Sequence, residues 1–283
     1  MVGERTGRHR KHQQYVVLAL DEETAIECCE KHIPFVYDYN LTVGSGEDMT
    51  FKSESFLRLG LAKFKTLKSF VEAGYSIIFS EIDVYELTNP EQCDSDTQQQ
   101  RQLGCIHAHK MNNNYDLEIQ PNILPGQVAK HGAEMNIGFF FLRSSAVSIS
   151  FLNEILKCLE NDCGWDQQVF TSLAWTKKWK CCVDDDNANV TQPACATRVK
   201  KDCGLRIRIL NTYIFPTGGS GGLRRKRSRQ YGISNPDYYM TTKICPALVH
   251  CTGRSGLPLK LDCVRHVQNL YGNCTGGEGI KQE

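Results

Sequence analysis

The chain has 283 residues, of which 41% are hydrophobic and 23% charged, and its formal net charge is +1. That length and balance describe a globular chain with a sizeable core and exclude a disordered one. A near-neutral charge provides no field to draw the chain onto nucleic acid, so no nucleic-acid partner is expected.

Residues 1–14 are basic and polar and read as a tail. Tyr15 to Leu20 is a short continuous apolar run with β-branched residues, the pattern of a buried strand. Asp21 is placed to cap a helix through about Lys31, with Glu22 and Glu23 suited to its first turn. Pro34 to Tyr37 reads as a second strand, and the stretch from Asn40 to Lys52 as a polar loop. Ser53 then opens a long helix that ends at Gly74, with the apolar stripe Gly60, Phe64, Leu67, Val71. The next strand, Tyr75 to Phe79, runs into Ser80-Glu81-Ile82-Asp83-Val84. Alternating strands and helices of this kind specify an α/β sheet.

Residues 91–130 are polar, with Gln and Asn clusters, and read as a long surface excursion. Asn136 to Leu142 reads as a buried strand. Helices are expected over Ser145 to Leu159 and Asp166 to Ala174. The stretch 178–204, with four cysteines and Asp184-Asp185-Asp186, reads as a disulfide-tied loop. Leu205 to Leu210 and Ala247 to His250 are the remaining strands. Between them, Gly218 to Gly222 and the basic run Arg224 to Arg229 read as a loop. The domain is therefore expected over residues 15–265, followed by a polar tail over 266–283.

Four constellations carry chemistry. Glu81 and Asp83 sit at the carboxyl end of a strand, the edge where open α/β sheets bind ligands. At i and i+2 on an extended strand they would point the same way and share one hard cation. Asn136 opens an apolar strand with Gly138 two residues on, where a sugar could approach the backbone. Asp166 and Gln167 begin a helix and have the hydrogen-bonding capacity to read hydroxyls. His250, with Gly253 and Lys260 beyond it, offers an imidazole for a metal and an ammonium for a diphosphate. Taken singly, each also has a local reading, as a solvated loop, a capping Asn, a helix cap or a core histidine.

Cysteine use speaks to compartment. There are 14 cysteines and no CxxC pair, which favours disulfides in an oxidising compartment over a zinc or thioredoxin-like site. The sequons at Asn40, Asn189 and Asn273 agree with a Golgi or other secretory-pathway lumen. The longest apolar runs fall far short of the roughly 18 residues of a membrane span, so an anchor is expected upstream of this chain.

The order of the motifs is more specific than any one of them. The run from Gly74-Tyr75 through Glu81-Ile82-Asp83 to Asn89-Pro90 resembles the acidic metal motif of the nucleotide-diphospho-sugar transferase family, which includes plant and algal xylosyl- and arabinosyltransferases. Asn136-Ile137-Gly138, Trp165-Asp166-Gln167, Phe215 to Gly218, and Pro246 to His250 with Lys260 resemble its later motifs. The resemblance runs from about Tyr15 to Lys260. It implies a GT-A-like, Rossmann-type mixed sheet flanked by helices. It implies a metal-dependent transfer of sugar from a nucleotide-diphospho-sugar, UDP-linked, to a glycan or glycoprotein acceptor, with retention of anomeric configuration. By the same resemblance Asp83, His250 and Glu81 would hold Mn2+ or Mg2+. Lys63 and Lys260 would meet the diphosphate, with Gly138 and Gly253 lining the donor. Asp166, Gln167 and Asn136 would face the transferred sugar or the acceptor.

Two departures from the family pattern stand out. Glu81 replaces an aspartate in the first acidic position. The strand and helix that usually precede the segment matching Tyr15 have no counterpart in residues 1–14, so the sheet is expected to lack its first strand. Both favour the alternative of a catalytically degenerate, secreted glycan-binding module of the same fold. The retained Asp83, Asp166, Gln167, His250 and Lys260 oppose it, because polar groups buried without a ligand cost free energy.

Overall fold

The computed structural model describes residues 15–41, 52–82, 84–86, 115–122, 132–185, 204–210 and 248–250. The chain divides into two compact units, Met1–Thr66 and Leu67–Glu283. The expected tails, the loop over 42–51 and the basic run Arg224 to Arg229 lie outside the described residues.

In the first unit, β1 (Val17–Leu18) pairs in parallel with β2 (Phe35–Val36), and α1 (Glu22–Glu30) connects them. Asp21 caps α1, its carboxylate accepting from the Thr24 N–H at 2.6 Å. The helix closes with His32 at φ 54° and with the Ile33 N–H bonded to the Cys28 carbonyl, a Schellman end. A 3-10 turn, Tyr39–Leu41, follows β2. The expected buried strand from Tyr15 shrinks to two half-buried residues, and Tyr15 is 60% exposed. Among the described residues β1 has one neighbour, β2, so little sheet covers it.

The long helix α2 (Glu54–Glu72) runs across the division between the units. Ser53 Oγ accepts from the Phe56 N–H at 3.1 Å and caps it. Its stripe of Gly60, Phe64, Leu67 and Val71 is buried, as helical spacing requires. Gly74 takes φ +93°, and the Tyr75 N–H bonds back to the Phe70 carbonyl, so the helix stops where the glycine permits a left-handed residue.

The second unit holds β3 (Ile77–Ser80), β4 (Val84–Glu86), β5 (Leu117–Pro121), β6 (Met135–Leu142), β7 (Lys180–Asp185), β8 (Leu205–Ile209) and β9 (Leu248–His250). Two helices, α3 (Ala146–Glu160) and α4 (Asp166–Ala174), lie between β6 and β7 in sequence. Five strands form a mixed sheet in the order β3-β6-β5-β8-β7, with β6 antiparallel to both neighbours and β5, β8 and β7 mutually parallel. The core gathers where α4 covers β6 and α3 packs on α4. Phe140 sits 5.4 Å from the Phe79 ring and 5.8 Å from Phe170, and Phe151 bridges Phe170 and Trp179.

Two expectations fail here. Within the stretch read as a surface excursion, β5 is a fully buried strand in the middle of the sheet. Its polar residues hid it: Asp116 and Glu118 are buried against Arg206 and Arg208 of β8. The stretch read as a disulfide-tied loop opens with β7, and Asp184 of its acidic run is buried, accepting from Tyr115 Oη at 2.7 Å. Gly204 allows β7 and β8 to start side by side. A Cβ there would lie 2.3 Å from the Trp179 carbonyl oxygen.

Cys158 and Cys163 form a disulfide across the Schellman end of α3, where Asp162 takes φ 53°. Cys181 and Cys182 are also disulfide-bonded, whereas Cys28 and Cys29 are free. Among the described residues no helix is long and apolar enough to cross a membrane.

Candidate active site at the carboxyl edge of the sheet

Because β6 alone runs against the others, the carboxyl ends of β3, β5, β8 and β7 meet at one edge, together with the first residues of β6. In open α/β sheets this edge is where ligands bind.

At that edge β3 stops at Ser80 and the chain turns. The Glu81 N–H donates to the Gly138 carbonyl at 2.8 Å, and the Glu81 carbonyl accepts from the Val84 N–H at 3.1 Å. The Val84 N–H bond to the Glu81 carbonyl closes a turn after the strand, and the expectation that Glu81 and Asp83 point the same way falls on Asp83, outside the described residues. Glu81 is half-buried and Ile82, at the tip, is 99% exposed. After the turn, β4 pairs antiparallel with β9, and Val84 lies opposite His250. That register brings the His250 backbone beside the residue that follows Asp83. Asp83, Gly253, Lys260 and the Phe215 to Gly218 motif lie outside the described residues. Among the described residues no group of three metal-ligating side chains occurs. The donor set proposed by sequence, carboxylates and an imidazole, suits manganese or magnesium by its chemistry.

Asn136 and Gly138 occupy a β-bulge. The β5–β6 register jumps from Ile119↔Phe140 to Gln120↔Asn136, leaving Ile137 to Phe139 without β5 partners. Asn136 stabilises the bulge, its Oδ1 accepting from the Gly138 N–H at 2.9 Å while its Nδ2 donates to Asn122 Oδ1 at 2.9 Å. The freed Gly138 carbonyl then accepts from Glu81. The Asn-x-Gly spacing thus has a physical cause: the amide fills a backbone role so that the strand can bend toward the acidic turn. Asn136 itself is 2% exposed.

The other side of the same segment is held by one face of α4. Gln167 Oε1 accepts from the Ile137 N–H at 3.4 Å, Thr171 Oγ1 from the Met135 N–H at 3.1 Å, and Trp175 Nε1 donates to the Ala133 carbonyl at 2.8 Å. Residues four apart on a helix meet residues two apart on a strand, so α4 stands in for a neighbouring strand. Asp166, the first residue of α4, is buried and accepts from the Gln167 N–H at 2.8 Å. The structure therefore gathers Glu81, Asn136, Gly138, Asp166, Gln167 and the His250 backbone within hydrogen-bonded segments of one unit. Lys63 belongs to the first unit, where it is buried with its ammonium 5.8 Å from the Phe64 ring.

Reasoning from sequence overlooked Asn122, Glu134, Thr171 and Trp175. Asn122 and Glu134 fell within or just beside the supposed excursion. Thr171 and Trp175 could have been found, since they repeat the position of Gln167 at four-residue spacing.

Behind the edge, one face of β5, β8 and β7 is charged and buried. Asp116 takes Arg206 through two bonds of 2.8 Å, and Glu118 takes Arg208 at 3.0 Å, opposite Asp184 in the register. The Asp116 carboxylate holds the Arg206 guanidinium above its ordinary pKa, against the opposing effect of burial.

The family model of nucleotide-diphospho-sugar transferases matches residues 10–264. The chain belongs to that family. Its mixed sheet with flanking helices is the α/β, GT-A-like arrangement the resemblance implied, and the family implies a nucleotide-sugar donor. Among similar proteins, the arabinosyltransferase RRA2 of Arabidopsis thaliana is 30% identical over 56% of this chain and 37% of its own length. The arabinosyltransferase RRA1 of the same plant is 27% identical over 56% of this chain and 39% of its own. The beta-arabinofuranosyltransferase RAY1, also from Arabidopsis thaliana, is 23% identical over 76% and 36%. The chain thus spans well under half the length of these relatives. No solved structure matches it.

Proposed function

We propose that this chain is the catalytic domain of a metal-dependent glycosyltransferase that moves a sugar, a pentose such as arabinose, from a UDP-linked donor to a glycan or glycoprotein acceptor, with retention of configuration. The observation that carries this reading is the β4–β9 register, which sets His250 opposite Val84, just past the acidic turn, at the ligand-binding edge of the sheet. Family membership and the names of the relatives support the sugar-nucleotide chemistry.

In this reading Asp83, His250 and Glu81 hold Mn2+ or Mg2+. Bound there, the cation supplies positive charge to the departing diphosphate. Lys260 neutralises the same phosphates, and Gly138 and Gly253 let the donor approach the backbone. Asn136 keeps the bulge in place, while Asp166 and the Nε2 end of Gln167 orient hydroxyls of the transferred sugar. The buried sheet and α4 fix Asn136, Gly138, Asp166 and Gln167 before the donor arrives, so little ordering of these groups remains to be done in the transition state. Disulfide bonding at Cys158, Cys163, Cys181 and Cys182 supports a secretory-pathway lumen, as do the sequons.

Calorimetric titration with UDP, with and without manganese, tests the site. Manganese-dependent binding is expected, lost in Asp83→Ala. Manganese affinity should weaken about 10–100-fold in His250→Ala, the scale of a damaged metal site. UDP binding that is indifferent to manganese and to Asp83→Ala would overturn the assignment.

A further inference from the structure

Asn136 was the natural candidate to read a sugar hydroxyl, yet both ends of its amide are engaged and its side chain is buried. Its bonds lead outward. Asn136 Nδ2 donates to Asn122 Oδ1, and Asn122 Nδ2 donates to Glu134 Oε2 at 2.9 Å. In the other direction, Asn136 Oδ1 takes the Gly138 N–H, and the Gly138 backbone carbonyl takes the Glu81 N–H. A continuous line of four hydrogen bonds therefore joins the acidic turn to the carboxylate of Glu134.

Glu134 stands one residue before β6, at the ligand edge. Its backbone carbonyl accepts from the Asn122 N–H at 2.8 Å, so the two residues face each other at the end of the β5–β6 ladder. The side chain is exposed. Asn122 takes one lone pair of Oε2 and so orients the carboxylate, which keeps acceptor capacity on both oxygens. A freely rotating surface glutamate would lose side-chain entropy on binding; this one is already held by an amide fixed to the sheet.

The geometry points to Glu134 as a sugar-binding residue of this site, accepting hydrogen bonds from hydroxyl groups of a bound sugar. This deepens the proposed function and rests on it. Carboxylates accept hydroxyl hydrogen bonds more strongly than neutral amides do, and two oxygens match a vicinal diol. The diol belongs either to the transferred sugar or to the acceptor, and the two are separable by experiment.

The test uses the full chain with Glu134→Ala and Glu134→Gln. Four quantities are read: thermal stability, manganese-dependent UDP binding, hydrolysis of UDP-arabinofuranose without acceptor, and transfer to an arabinosylated acceptor. UDP affinity should stay within about two-fold of wild type, because UDP carries no transferred sugar. Losing hydrogen bonds to a charged group should lower kcat/KM about 10–100-fold in Glu134→Ala. A fall in both hydrolysis and transfer assigns the hydroxyls to the donor sugar. Unchanged hydrolysis with a raised acceptor KM assigns them to the acceptor. Rates within two-fold of wild type in both variants would overturn the inference. So would a parallel loss of UDP affinity and thermal stability, the mark of a merely structural role. Absence of UDP binding in the wild-type chain would instead sink the proposed function, and this inference with it.

Discussion

Two neighbouring strands of the same sheet are both fully buried and are built by opposite means. β6 reads Met-Asn-Ile-Gly-Phe-Phe-Phe-Leu and packs apolar side chains against α4 and β3. β5 reads Leu-Glu-Ile-Gln-Pro, with Asp116 just ahead of it, and is apolar on one face only. Its other face carries carboxylates that reach arginines of β8. A position in the centre of a sheet therefore dictates burial but not polarity. A charge can be buried if its partner arrives on the adjacent strand, though desolvation consumes most of what the pair gains.

The sharpest way to break this contrast is to remove one partner on each side. Glu118→Ala removes a buried carboxylate partner of the Arg208 guanidinium and should cost about 3–5 kcal/mol of stability, read by denaturant unfolding. Phe140→Ala, in the aromatic cluster, should cost about 3–5 kcal/mol as well, through lost transfer energy and a cavity. The two losses differ in how they can be repaired. Adding Arg208→Met to Glu118→Leu should restore stability to within about 1 kcal/mol of wild type or above it. A double variant as unstable as Glu118→Ala would show that the ion pair is intrinsically favourable here.

The smallest effect comes from a charge left at the surface. Glu154 accepts from Lys178 Nζ and from Trp179 Nε1, each at 2.6 Å. The Lys178 hydrogen bond lowers its pKa, with burial opposing and Trp179 adding to the effect. A depressed carboxylate contributes stability that is present above its unfolded pKa of about 4.3 and is lost as pH falls through the folded value. The pair is partly exposed, so the contribution should be below about 1 kcal/mol. Glu154→Gln should therefore be destabilised slightly at neutral pH and show a flatter loss below about pH 4. An unchanged acid limb would contradict the shift.

Local features were legible because their causes are local. Asp21, Ser53 and Ser145 cap helices that begin on the next residue, and Gly74 ends α2, since caps act within one turn. The continuous apolar run of β6 and the order of the acidic, Asn-x-Gly, Asp-Gln and His motifs also survive without tertiary context, and they led to the family. β5 and β7 did not, because the arginines that neutralise Asp116 and Glu118 lie about ninety positions away in the chain.

The sequence by itself determined the helix ends, the hydrophobic strand β6 and part of the polar set at the edge of the sheet. Only the tertiary structure decided how those residues are used. It turned the chain after Ser80, set His250 opposite Val84, and bound both ends of the Asn136 amide in a line of hydrogen bonds that reaches Glu134. The physical reason is that a cap or an apolar run is satisfied by nearest neighbours. A bulge, a cross-strand register and a buried charge are satisfied by partners that only the folded sheet supplies.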